Sequence, residues 1–343
     1  MPFHIVRNDI AAMAADAIVN TANPMPVIGD GVDAAIHEKA GPELLAARKA
    51  IGKLAPGECA VTPAFGLSAN YVIHVVGPVW KGGLLGEGRL LRRCYESALA
   101  LAQRHGCESI ALPLISTGNY GFPRERALNI ALNAIGAFLL KHDMTVYLVV
   151  YDRESCRLSR DHMGSIVSYI DDNYVALKEQ SAPLRRNRAD RADYAAGRSM
   201  VMEEKCCAPM MAPCASAPRE LSSLDELLAH TDAGFTETLL KLIDRTGKKD
   251  SAIYKRANVS RQHFSKIRND NGYKPTKATA IAFAMALELD LEQAQDLIGR
   301  AGYTLTRASK FDVAIMYFID HRVYDIMDIN LTLFNLDLPT LGE

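Results

Sequence analysis

Short apolar runs alternate with amphipathic stretches through the first half of the chain, and this alternation restricts the fold more than any other feature. The apolar runs lie at residues 16–20, 71–76, 109–115 and 146–151. Apolar residues recur near helical spacing over residues 34–49, 90–105 and 124–142. Strands that alternate with helices of this length predict a largely parallel sheet with helices on both faces, a three-layer α/β/α arrangement. In such sheets, ligands bind beyond the carboxyl ends of the strands.

The rest of the chain divides into two parts of different character. Residues 178–220 contain a basic stretch and a tract rich in Met, Cys, Ala and Pro without strand or helix periodicity, which predicts a flexible linker. Beyond it, amphipathic segments separated by Gly, Asn or Pro lie at residues 235–245, 252–257, 261–268, 277–287, 291–301 and 311–317. We therefore predict an α/β domain at residues 1–177, the linker, and a small all-α domain at residues 221–343.

Composition argues against several classes of protein. No stretch reaches the ~18 apolar residues of a spanning helix, and no basic segment precedes an apolar run at the N-terminus, so we expect no membrane partner. The seven cysteines are odd in number and scattered, which is typical of a reducing compartment, and we expect a cytoplasmic location. The linker cysteines have no nearby His, and we expect neither a metal nor a cofactor. A net charge of −1 argues against a surface that is basic throughout.

Two glycine-rich loops each join a predicted strand to a predicted helix. The first, over residues 20–33, places Gly29 and Gly31 just before its helix. The second, over residues 115–123, ends at Pro123, which suits the first position of a helix. Glycine allows close approach of the backbone, and the N–H groups that open a helix favour phosphate. One such loop is common for geometric reasons alone, whereas two on separate strands would grip a diphosphate from both sides; the pattern leaves both interpretations open.

Several motifs, in order along this half, resemble those of macro domains. They are Val-Asn-Thr-Ala-Asn at residues 19–23, Gly-Asp-Gly-Val-Asp-Ala-Ala-Ile-His at 29–37, Gly-Pro-Val-Trp at 77–80, Leu-Ile-Ser-Thr-Gly-Asn-Tyr-Gly-Phe at 114–122 and Val-Val-Tyr-Asp at 149–152. The resemblance implies a macro-domain fold for residues 1–177 and ADP-ribose or an ADP-ribosylated protein as the ligand. The Gly-Val-Asp signature resembles the MacroD-like class. It therefore implies an ADP-ribosyl hydrolase or an O-acetyl-ADP-ribose deacetylase.

The resemblance also implies roles for individual residues, each with a plain structural alternative. Asp9, next to Ile10, would accept a hydrogen bond from the adenine amino group, but it is also an ordinary turn carboxylate. Tyr151 would stack on the adenine, and Phe122 would pack near the distal ribose; alone, each residue fits a strand end or a core. Main-chain donors to the diphosphate would come from Gly29, Gly31, Val32, Ser116, Thr117, Gly118, Asn119 and Tyr120.

Catalysis would depend on Asn23 and Asp33. An amide both donates and accepts hydrogen bonds, so Asn23 suits the ribose hydroxyls. A carboxylate held near the scissile bond positions or deprotonates water, although an acidic residue in the first turn of a helix is also favoured by the helix dipole. The loop departs from the family pattern because Ile28 and Asp30 interrupt a glycine run. We predict that Asp30 points outward to solvent.

A second candidate site lies in the predicted all-α domain. Residues 255–268 have the layout of a helix, a tight turn and a second helix, with Ser260 as the N-cap and Phe264 and Ile267 facing inward. The region loosely resembles lambda-repressor-like (XRE) helix-turn-helix domains. Residues 241–277 hold eleven Lys and Arg against three Asp, a net of +8, whereas residues 278–343 have a net of −6. The side chains expected to face DNA are Arg261, Gln262, Lys266 and Arg268.

Three hypotheses for the whole chain follow. In the first, the chain is an ADP-ribosyl hydrolase that its C-terminal domain directs to a target. In the second, it is a reader that binds ADP-ribose without turnover, and in the third, it is a DNA-binding regulator that responds to ADP-ribose. The basic face of residues 241–277 fits DNA, but equally an acidic protein or the chain's own acidic end.

Overall fold

A six-stranded sheet forms the centre of the N-terminal part in a computed structural model, which describes residues 2–150, 233–270 and 272–342. Strands β1 to β6 span Phe3–Arg7, Ala17–Thr21, Cys59–Pro63, Tyr71–Val75, Ser109–Pro113 and Thr145–Val150. Their order is β1-β6-β5-β2-β4-β3, and all neighbours are parallel except β3 and β4. The predicted, largely parallel sheet is confirmed. Periodicity does not predict β1 and β3, which lack a continuous apolar run.

Within residues 2–150, four helices cover the two faces of this sheet. Helices α1 to α4 span Val32–Ala40, Pro42–Ile51, Glu87–Arg104 and Arg124–Leu139. Helices α3 and α4 pack on one face, and α1 and α2 pack on the other, so the three-layer arrangement is also confirmed. The single helix predicted over residues 34–49 is wrong: Gly41, at φ +92°, separates α1 from α2, and Pro42 begins the second helix.

The C-terminal described part is helical and has a core of its own. Helices α5 to α11 span Phe235–Thr246, Asp250–Arg256, Arg261–Asn269, Lys277–Ala286, Leu291–Arg300, Lys310–Asp320 and Ile326–Asn335. Helix α8 is buried along most of its length at the centre of this core. The first six match the predicted segments, whereas α11 is additional. The predicted linker lies outside the described residues. No helix of the described ranges is long and apolar enough to cross a membrane.

The helical part packs directly on the outer edge of the α/β part. Asn258, in the turn between α6 and α7, accepts a hydrogen bond from Phe3 N (2.6 Å) and donates one to Phe3 O (3.0 Å). Leu331 of α11 is fully buried in the core formed by the sheet, α3 and α4. Lys255 Nζ lies 3.6 Å from an Asp143 carboxylate oxygen. Because Phe3 opens the edge strand β1, the turn completes hydrogen bonds that this edge leaves open.

Candidate functional site

A cleft of about 270 Å³ opens between the two glycine-rich loops. The loops follow β2 and β5, which are neighbouring parallel strands, so their carboxyl ends meet at the same edge of the sheet. The structure brings ten of the predicted site residues together there: Asn23, Gly29, Gly31, Val32, Asp33, Ser116, Thr117, Gly118, Asn119 and Tyr120. The remaining lining residues are Thr21, Ala22, Asp30, Gly77, Leu114 and Ile115.

The second loop presents unused main-chain donors. Within the described residues, the N–H groups of residues 117–120 have no acceptor. The loop is held by bonds from Phe122 N to Ser116 O and from Gly121 N to Gly118 O. Ser116 has a φ of +66°, and a Cβ at Gly77 would lie only 2.1 Å from its Oγ. A backbone that is fixed in this form, with unsatisfied donors, is suited to an anion.

Asp33 is buried at the base of the cleft, with its side chain 4% exposed. One oxygen accepts a hydrogen bond from Asn20 Nδ2 and the other accepts one from Gly29 N, both at 2.5 Å. His37 Nε2 lies 3.5 Å from the first of these oxygens. Asp33 thus fixes the first loop through Gly29. A carboxylate has about four acceptor positions, so it retains capacity to bind a water molecule.

Asn23 lies above Asp33 on the same loop. Its amide nitrogen donates to Val27 O at 3.3 Å, and its amide oxygen accepts from the Tyr120 hydroxyl at 3.4 Å. Burial, together with the charge of Asp33, raises the pKa of Tyr120, so this hydroxyl remains protonated and able to donate at neutral pH. The two loops are therefore joined across the cleft by these side chains.

A buried polar network, which periodicity does not predict, lies beneath the cleft. His74 contacts Asn20 Nδ2 through Nδ1 (3.2 Å) and Thr62 Oγ1 through Nε2 (3.0 Å). Burial, and then the nearby charge of Arg48, lowers the pKa of His74 to about 3. Burial likewise lowers the pKa of His37, against the opposing effect of Asp33. Both rings are therefore neutral at pH 7. The signal in the sequence is a polar residue within an apolar strand: Asn20 in one and His74 in another.

Arg48 supports the first loop from below. The residue is 2% exposed, and its guanidinium donates to three main-chain oxygens, those of Gly52, Asn23 (3.1 Å) and Pro24 (3.4 Å). Burial lowers its pKa, but a guanidinium remains charged at any ordinary pH. The segment that carries Asn23 is thereby tied to helix α2.

Asp30 is exposed, as predicted, but its carboxylate is not simply turned to solvent. It accepts a hydrogen bond from Asn119 Nδ2 at 3.0 Å, so it bridges the first loop to the second at the mouth of the cleft. The prediction did not include this partner, because it lies 89 positions away in the sequence.

Three of the predicted ligand-binding residues that the structure describes do not line this cleft. Asp9 accepts a hydrogen bond from Ala11 N and caps a short 3-10 helix, and Ile10 is buried in the core beside α1. Phe122 is buried, with its ring 4.7 Å from that of Trp80. Tyr151 lies outside the described residues.

The second candidate site is on helix α7. Ser260 accepts a hydrogen bond from His263 N and caps the helix, and Phe264 and Ile267 are buried, as the pattern predicts. The side chains predicted to face DNA are exposed on the other side: Arg261, Gln262, Lys266 and Arg268. Arg268 forms an ion pair with Asp250, which reduces its availability to a ligand. No group of three or more His, Cys, Asp or Glu suited to a metal ion occurs in the described part of the chain.

Comparison with known proteins identifies the family of the first part of the chain. The macro domain family model matches residues 19–131. A macro domain-containing protein of Methanosarcina mazei is 46% identical over 165 residues, which cover 48% of this chain and 88% of that protein. An O-acetyl-ADP-ribose deacetylase of Citrobacter rodentium is 47% identical over 161 residues, or 45% of this chain and 91% of that protein. A solved Oceanobacillus iheyensis macrodomain with ADP is 37% identical, with a TM-score of 0.43, over 44% of this chain and 84% of that one. The chain belongs to the macro domain family.

Proposed function

We propose that the macro-domain part, residues 1–177, binds ADP-ribose in the cleft and hydrolyses ADP-ribose esters, either on proteins or in O-acetyl-ADP-ribose. One observation carries this proposal: a buried Asp33 lies at the base of a cleft whose second loop presents main-chain N–H groups that have no acceptor among the described residues. The donors suit the diphosphate, and the carboxylate suits a water molecule that attacks at the distal ribose. Relatives about 46% identical that bear the name O-acetyl-ADP-ribose deacetylase support the same chemistry.

The residues divide the work in this proposal. Asn23 orients the ribose hydroxyls, because its amide is fixed by contacts to Val27 O and Tyr120. Asp33 holds the attacking water and takes up one of its protons while the water oxygen bonds to the electrophilic carbon of the ester. The C–O bond of the ester breaks, and ADP-ribose and a carboxylate are released. His37 and His74 are neutral, so no imidazolium lies next to Asp33. A positive charge there would lower the pKa of Asp33 and make it a weaker base.

The test is the release of ADP-ribose from a mono-ADP-ribosylated acidic side chain and from O-acetyl-ADP-ribose. We expect release by the unmodified chain and its loss in Asp33→Ala and Asn23→Ala, with exposed Glu96→Gln on α3 as the control. Absence of release under any condition, with ADP-ribose binding intact, would instead favour the reader, which binds without turnover.

We infer a second activity, DNA binding through α7, from the exposed row of Arg261, Gln262 and Lys266 on a capped helix whose opposite side is buried. This would make the chain an ADP-ribose-responsive regulator with a lambda-repressor-like domain at residues 221–343, joined to the macro domain by a linker at residues 178–220. An acidic protein is the alternative partner of the basic segment 241–277.

The full chain provides the test of this second activity. Binding to duplex DNA should weaken steeply with salt, and Arg261→Ala combined with Lys266→Ala should weaken it further, while exposed Lys49→Ala on α2 should not. No binding at low salt would reject DNA as the partner and leave the acidic protein.

A further inference from the structure

Three large apolar side chains stand exposed at one edge of the cleft. Met25, Val27 and Ile28, here called the apolar lip, are 55%, 59% and 49% exposed. The described residues contain eight exposed large apolar side chains, and three of them fall within the four consecutive positions 25–28. Scattered exposed apolar residues need no explanation, but such a cluster is typical of a contact surface.

The lip is held in place rather than loosely attached. Arg48 binds the main-chain oxygens of Asn23 and Pro24, and Leu54 N donates to Pro24 O at 2.9 Å. Val27 N donates to Met25 O at 2.8 Å, which makes a tight turn of the lip itself. Because hydrogen bonds fix the backbone of the lip, the fold itself holds the three side chains exposed to solvent.

The lip is continuous with the candidate reacting groups. Ile28 directly precedes Gly29, whose N–H binds Asp33, and Val27 O accepts a hydrogen bond from the Asn23 amide. If the distal ribose lies at Asn23 and Asp33, as in the proposed function on which this step rests, the group esterified to that ribose leaves the cleft beside the lip. An acetyl group has only two carbons and leaves the lip uncovered, whereas a modified protein continues as a polypeptide across it.

We propose that the apolar lip binds the polypeptide of an ADP-ribosylated protein, at apolar residues that flank the modified acidic side chain. The substrate class that this surface favours is therefore a protein ester rather than a small acyl-ADP-ribose. The lip acts through substrate binding, so its effect belongs in Kd and KM and not in the chemical step.

The experiment compares three probes: free ADP-ribose, a peptide with one ADP-ribosylated glutamate between leucines, and the same peptide with serines in place of the leucines. The chain should bind the leucine peptide about tenfold more tightly than free ADP-ribose or the serine peptide. Combined Met25→Ser, Val27→Ser and Ile28→Ser should abolish this preference, with ADP-ribose affinity and O-acetyl-ADP-ribose turnover unchanged.

Leu140→Ser is the matched control, since Leu140 is 60% exposed but follows the end of α4, roughly 24 Å along that helix from the second loop. Equal affinity for both peptides in the unmodified chain would overturn the proposal. The proposal would also be overturned if the triple variant kept the preference for the leucine peptide, or if its only effect were to convert a dimer to a monomer. Because Kd is measured as well as turnover, a chain that binds without hydrolysis still tests the lip, and loss of ADP-ribose binding altogether would reject the proposed function separately.

Discussion

The charge of Asp30 gives the most specific expectation about affinity. Its carboxylate bridges to Asn119 at the mouth of the cleft, next to the donors proposed for the diphosphate. Replacement by asparagine keeps an acceptor for the Asn119 amide but removes one negative charge. ADP-ribose should therefore bind more tightly to the Asp30→Asn variant.

The size of the effect follows from Coulomb's law. For an assumed separation of about 7 Å between the carboxylate and a phosphate, and an effective dielectric constant of about 40 to 80, each phosphate charge costs about 0.6–1.2 kcal/mol. Exposure of Asp30 to solvent and salt reduces the sum for two charges, so we expect a gain of about 1 kcal/mol, or about three- to tenfold in Kd. Screening should remove most of this gain at high salt.

Calorimetric titration with ADP-ribose at low salt and at about 1 M NaCl measures both quantities. Glu96→Gln, which removes an exposed carboxylate from α3, should leave the affinity unchanged. A gain of about a hundredfold or more would show that the carboxylate lies in the path of the diphosphate. Weaker binding by Asp30→Asn would show that the charged bridge to Asn119 is needed for the bound state.

Three further variants test the supports of the fold and the site. Arg48→Met removes the donors to Asn23 O and its neighbours and should lower the free energy of unfolding by about 2–4 kcal/mol in denaturant titrations. Burial lowers the pKa of His74 to about 3. Between pH 6.5 and pH 3, this histidine is therefore protonated in the unfolded chain but neutral in the folded chain. The free energy of unfolding therefore has its full value above pH 6.5 and falls toward pH 3, by up to about 1.4 kcal/mol per pH unit. His74→Gln should flatten this dependence of the unfolding free energy on pH. Asn258→Ala should leave Phe3 without its partners and split calorimetric unfolding into two transitions.

Each of these variants has a control and a contrary result. Arg48→Lys keeps the charge but not the forked geometry, so full stability in it would mean that the charge alone supports the loop. An unchanged pH slope in His74→Gln would contradict a buried neutral imidazole. Asn258 has a φ of +55°, and Asn258→Gly relieves that constraint while still removing the amide. A single transition in Asn258→Gly would show that the packing of Leu331 suffices to join the two parts.

The position of the cleft could be predicted from the sequence because it follows from topology. Two glycine-rich loops after neighbouring parallel strands must meet at one edge, and the structure places Asn23, Asp33 and Tyr120 together there. The helix-like segments of the C-terminal part were predictable for the same kind of reason, since burial of Phe264 and Ile267 follows from their spacing.

The supports of the site were not predictable, because they depend on contacts between distant segments. Arg48 reaches the first loop from α2, and His74 meets Asn20 only because β4 pairs with β2. The contact between Asn258 and Phe3 spans 255 positions and joins parts that the pattern treats separately. Periodicity identifies which side of an element is buried but not which distant polar group it meets.

The most direct test of the account is the Asp33→Asn variant, assayed for both release and affinity. The substituted amide keeps an oxygen for the Gly29 N–H, and its NH2 group meets Asn20, whose amide can turn to present its unused oxygen. The first loop should therefore retain its shape while the basic carboxylate is lost. We predict that ADP-ribose release from a mono-ADP-ribosylated protein falls by about a hundredfold or more, with the Kd for ADP-ribose changed by less than about fivefold. Release at the rate of the unmodified chain would contradict the role assigned to Asp33.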